Sequence, residues 1–140
     1  MNIEFFHNMD YDLFLRCLTE TRDGIDETEI LFLDDRERGA CMIGYLPYVY
    51  ENSEEKIRYF DLPYWQGTGC DVEGGTAFLT AEELLHTPVY GGRSIAQAWE
   101  HVCVLNLGMM PLEYWFKTCP FKDDVIEENG IWKLRSHKQK

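Results

Sequence analysis

The residues best equipped for chemistry lie in YWQGTGCDVEGGTAF, positions 64–78, where Gln66 precedes Cys70 and two acids follow. A cysteine thiolate is a nucleophile. Such a thiol needs a lowered pKa, normally from a helix N-terminus or a neighbouring cation. The neighbours here act in the opposite sense. Asp71 and Glu73 would raise the pKa, and Gly74-Gly75 oppose a helix. The stretch therefore reads as a shaped, glycine-rich loop with a half-buried Cys70, leading into the helix that Thr80 begins.

Over two residues, Gln66 and Cys70, the pattern resembles papain-like thiol hydrolases. The resemblance implies that Gln66 helps form an oxyanion hole and that His86 or His101, with Asn106, are the downstream partners. A small thiol enzyme using Cys70 stays as the lesser alternative. A metal corner is the next possibility, from His101 and Cys103 with Cys70 and Asp71. Zinc sites carry paired C-x2-C or H-x3-H spacing, which is absent, and i,i+2 neighbours on a helix face different ways. The acid pairs Asp34-Asp35, Glu54-Glu55, Glu82-Glu83, Asp123-Asp124 and Glu127-Glu128 sit where turns and helix starts solvate them. No phosphate-binding loop, dinucleotide fingerprint or nucleophile elbow occurs. The chain is read as carrying no catalytic residue, no metal and no cofactor, and not as an enzyme.

The elements that must position any site follow from hydrophobic spacing. Ile3–Phe6 suggests an edge strand. Asp10 can cap a helix from Tyr11 to about Arg22, with Leu13, Phe14, Cys17 and Leu18 on one face and Asp23-Gly24 at its end. Runs 29–34 and 40–45 flank DDRERG as a hairpin, and YVYENSEEKIRYF suggests a second, together a sheet of about four strands. Thr80 and Glu83 form a capping box, with Pro88 after the short helix. YGGR is a turn. Ser94 should cap a helix bearing Ile95, Ala98, Trp99 and Val102, and CVLNL reads as a buried strand. Pro111 opens a helix through Phe116, and Asn129-Gly130 turns a last hairpin. The class is α+β: a small antiparallel sheet with three to four short helices, in one domain over 1–140 with a basic tail at 133–140.

Composition bounds the function. The chain of 140 residues is 45% hydrophobic and 14% aromatic, which suits one folded domain. The start lacks a signal-peptide pattern and no apolar run is long enough to span a membrane, so the expected compartment is the cytoplasm. Five unpaired-looking cysteines fit reduced, buried thiols. The net charge is −12, and four of the thirteen bases lie in the tail. The body thus carries nine bases against twenty-five acids, near −16. Such a surface repels nucleic acid and anionic lipid and steers basic partners inward.

Tyrosine and tryptophan are typical of interface hot spots, and residues 44–65 interleave them with acids. The expected contact residues are Asp34, Asp35, Tyr48, Tyr50, Glu54, Glu55, Asp61, Tyr64 and Trp65, on one acidic aromatic face. This profile resembles small acidic immunity proteins of bacterial contact-dependent and other polymorphic toxin systems. The resemblance implies a cytoplasmic protein that binds and blocks a cognate toxin, with a basic nuclease domain the expected kind of partner, and no direct contact with nucleic acid or membrane. The alternative from charge alone is an acidic nucleic-acid mimic of the anti-restriction or anti-CRISPR type.

Overall fold

A computed structural model describes residues 5–21, 25–51, 56–68 and 71–135. The fold is α+β; the described residues form a five-stranded antiparallel sheet, two separate two-stranded sheets and three short α-helices. Helix α1 (Tyr11–Glu20) buries Leu13, Phe14, Cys17 and Leu18 completely, the face that their i, i+1, i+4, i+5 spacing predicts. Asp10 stands at its N-cap position without a side-chain capping bond. The expected helix end at Asp23-Gly24 lies outside the described residues, and so do Ile3 and Glu4 of the expected first strand. Phe5 and Phe6 are not in a strand.

Strands β1 (Thr28–Phe32) and β2 (Cys41–Tyr45) form the expected first hairpin, with a 3-10 turn at Arg36–Arg38 between them. The second hairpin, β3 (Tyr48–Glu51) and β4 (Lys56–Tyr59), also forms. It does not join the first in one sheet. Instead β2 pairs with β5 (Tyr64–Thr68), and β5 pairs with β6 (Asp71–Phe78). The stretch expected to be a loop is therefore a hairpin at the sheet margin. Its glycines hide the strand pattern in the sequence, and the register shifts between Gln66 and Thr68. With β7 (Val102–Val104) on β1, the strand order is β6-β5-β2-β1-β7.

One face of this sheet carries Ile30, Phe32, Cys41, Ile43, Tyr64, Phe78, Val102 and Val104 into the main core. Helix α2 (Ala81–His86) starts with the expected capping box, Thr80 Oγ1 accepting from Glu83 N while Glu83 Oε1 accepts from Thr80 N. The alternate residues Leu31, Met42, Trp65 and Cys103 are buried outside that core cluster, as a period of two requires. Gly44 is forced by a close approach: a Cβ there would collide with the Asp26 carbonyl. That same carbonyl accepts from Trp65 Nε1 at 3.1 Å, so the chain before β1 is held tightly over Gly44 and Trp65.

One expected helix is absent. Ser94 makes a reciprocal cap with Gln97, Oγ accepting from Gln97 N and Gln97 Oε1 accepting from Ser94 N. Beyond this cap the chain forms only a turn and a 3-10 segment at Trp99–His101. Long-range bonds override the local cap: Trp99 Nε1 donates to Met9 O, and Leu33 N donates to His101 O. Helix α3 (Leu112–Thr118) follows Pro111, and β8 (Val125–Glu128) with β9 (Ile131–Leu134) closes through Asn129-Gly130. The segment at Asn8–Asp10 bonds to Trp132 on both sides and so ties this last hairpin to the body.

Candidate partner-binding face

The aromatic segment 44–65 becomes an arm with an elbow. Past Tyr45 and Tyr64, which pair at the ends of β2 and β5, Leu46 N donates to Pro63 O. Phe60 N then donates to Pro47 O, and β3 and β4 continue the hairpin outward. Pro47 and Pro63 cannot donate to a ladder, so the pairing breaks and bends between them. Among the described residues no other helix or strand packs extensively on β3 or β4. The cross-strand pair Tyr48–Tyr59 stands at 5.8 Å between ring centroids, and Tyr59 is 72% exposed.

At the elbow lies an apolar cleft of about 130 Å³. Leu46, Phe60, Leu62 and Pro63 form one wall, and Trp65, Thr76 and Ala77 of the β5–β6 hairpin form the other. Leu62 is 47% exposed, and Asp61 beside it is exposed as well. Trp65 is buried yet reaches the cleft.

The expected contact residues divide into groups. Tyr48 and Asp61 stand at the arm and elbow. Tyr64 and Trp65, both expected as contacts, are both buried: Tyr64 is an interior anchor, while Trp65 keeps its place at the candidate face as a wall of the cleft. Tyr64 Oη donates to Leu18 O at 2.9 Å, and burying both rings is what fixes the root of the arm. Glu54, Glu55 and the side chain of Tyr50 lie outside what the structure describes.

Asp34 and Asp35 sit where β1 ends and β2 begins, the opposite end of those strands from the elbow. The structure therefore does not join them with Asp61 into one face. Both are neutralised within the chain. Arg93 grips Asp34 with two bonds, 2.8 and 2.7 Å, and Arg38 Nε bonds Asp35 at 2.9 Å. Arg93 is aimed by a tight turn in which Gly91 and Gly92 both take positive φ, a requirement only glycine meets without strain. The Arg93 guanidinium holds the Asp34 carboxyl down at about 2. Sequence spacing gives no sign of this pair, because 59 positions separate its members.

Neither the thiol chemistry nor the metal corner gains support from the described residues. Burial pushes the thiols of Cys17, Cys41, Cys103 and Cys119 up, keeping them protonated and unreactive. Cys70 lies outside the described residues. His86 bonds Glu82 O on α2, and Asn106 bonds both the backbone and side chain of Glu29. His101 is exposed near Asp34 while Cys103 is buried in β7. Among the described residues no group of three or more His, Cys, Asp or Glu could hold a metal ion. No described helix is long and apolar enough to cross a membrane.

Tyr59 joins the candidate face from the same aromatic segment, and Leu62, Thr76 and Ala77 belong to it although residue type does not single them out. The two flanking prolines are the sequence signal that could have revealed the elbow. No family model matches this sequence, and no curated protein or solved structure matches it.

Proposed function

We propose that this chain is a partner-binding protein, acting in the cytoplasm, that neutralises a basic toxin domain without catalysis of its own. The observation that carries this reading is the arm with its cleft: on a chain of net charge −12, a two-stranded arm on which no described helix or strand packs extensively presents Tyr59 and roots in an open apolar cleft. An isolated two-stranded sheet is marginal in water, and aromatic side chains beside an apolar pocket are the usual anchors of a protein interface. The acidity supplies steering toward a basic surface such as a nuclease groove. Nucleic-acid mimicry has less support, because Asp34 and Asp35 are held by arginines and do not extend a free row of carboxylates.

The test begins with the product of the gene next to this one. If that product is a large exported protein with a variable C-terminal domain, that domain is expressed with and without this chain. Restored growth and a purified complex are expected. Asp61→Lys should slow association at low salt by a few fold, with less effect at high salt. Absence of a complex, or an association rate and salt dependence unchanged by Asp61→Lys, rejects the reading.

A further inference from the structure

The two edges of the five-stranded sheet are finished differently. At β7, Asn8 places its side-chain amide where a neighbouring strand would lie: Oδ1 accepts from Val104 N at 2.9 Å and Nδ2 donates to Val104 O at 2.8 Å. His7 Nδ1 bonds Val102 O one step along. That edge is chemically closed. At β6 no strand pairs on the outer side among the described residues, and Thr76 and Ala77 are exposed. An edge strand with unpaired N–H and C=O groups is a template for another strand. This open edge borders the elbow cleft, since Thr76 and Ala77 line it.

We propose that the β6 edge and the cleft form one docking site, which takes an extended basic segment of a protein partner as an added strand. One aromatic side chain of that segment fills the cleft, whose volume of about 130 Å³ is close to the roughly 150 Å³ that admits benzene into an apolar cavity. The basic character follows from charge. Asp61 is exposed at the rim, and the whole chain is at −12. The same charge opposes edge-to-edge pairing with a second copy, which would bring two strongly acidic chains together. The basic sign of the partner rests on the function proposed above, while the open edge does not.

The probe is a synthetic peptide of about ten residues alternating lysine and valine with one central phenylalanine, long enough to cover β6. Its counterpart has glutamate in place of lysine. Binding is followed by amide shifts, and hydrogen exchange then reads β6 residue by residue. The lysine peptide should bind, alternate amides of β6 should exchange more slowly, and the glutamate peptide should not bind. Ala77→Leu, which fills the cleft without changing charge, and Leu62→Asp, at an exposed position, should each weaken binding about tenfold. Failure of the lysine peptide to bind, equal binding of the glutamate peptide, or binding that leaves β6 unprotected would overturn the proposal. A toxin neutralised by a chain that ignores the peptide would remove only the docking edge. Peptide binding with no toxin neutralised would remove only the function.

Discussion

The β7 side of the sheet satisfies itself, and the β6 side does not. On the first, Asn8 covers Val104, His7 covers Val102, and Arg93 and Arg38 hold Asp34 and Asp35. On the second stand an arm, an apolar cleft, an exposed acid and an outer strand that no described strand pairs with. The contrast teaches that acidity and aromatic content do not locate an interface by themselves. Both sides hold acids and rings in sequence. What separates them is whether partners from elsewhere in the chain have already been supplied, and a folded protein commonly blocks the edge it does not use.

The sharpest way to break the comparison is to unblock the closed edge. Asn8→Ala leaves the N–H and C=O of buried Val104 without their partners. A buried backbone group without a bond costs about 1–3 kcal/mol, so urea denaturation should show a loss of about 2 kcal/mol. A loss below about 0.5 kcal/mol would mean that water reaches Val104 freely and that the edge was never closed.

Next in size is the arginine lock. Asp34 titrates at about 2 in the folded chain, below its ordinary value of 3.8, because Arg93 favours its charged form. A lowered folded-state pKa stabilises above the unfolded value and ceases to do so as pH falls through the folded one. The stability gap between the native chain and Arg93→Ala should therefore be flat above about pH 4 and narrow between about 4 and about 2. Thermal melts across that range measure it, and an NMR titration of the Asp34 carboxyl should move up toward the usual range in the variant. A gap independent of pH would show that Arg93 acts through its packing over Phe32, 5.1 Å from the ring centroid, and not through Asp34.

These two tests also mark what the sequence could reveal. The α1 face, the Thr80 box, the first, second and last hairpins and the α+β class are legible, because each rests on residues close in sequence whose spacing matches a period or a cap. The β5–β6 hairpin is hidden because Gly67, Gly74 and Gly75 carry no strand signal, though Tyr64, Gln66 and Trp65 pair faithfully with Phe78, Thr76 and Ala77. The Ser94 cap is legible and the loss of its helix is not, since Met9 and Leu33 claim Trp99 and His101 from far along the chain. The site is the least legible part. Tyr64 and Trp65 look no different in sequence from Tyr48 and Tyr59, and burial alone divides them.

The smallest expected effect on folding is the one that decides whether the arm belongs to the open side at all. Tyr59→Ala removes a ring that is 72% exposed and that meets Tyr48 across the hairpin. Such a cross-strand pair contributes about 0.2–1 kcal/mol, and that energy is local to the arm. Global unfolding should then be unchanged within about 0.5 kcal/mol, because exposed substitutions away from the core seldom exceed that. Amides of β3 and β4 should nonetheless exchange faster, since a local opening needs only the arm to fray. The same substitution should weaken binding of the partner proposed above, where a buried aromatic anchor is worth more than it is in the free chain. If the global midpoint instead falls as far as in Asn8→Ala, the arm is part of the cooperative body and its exposure serves folding in some way other than docking. Then the open side narrows to the cleft and the β6 edge, and the peptide would have to bind there without help from the arm.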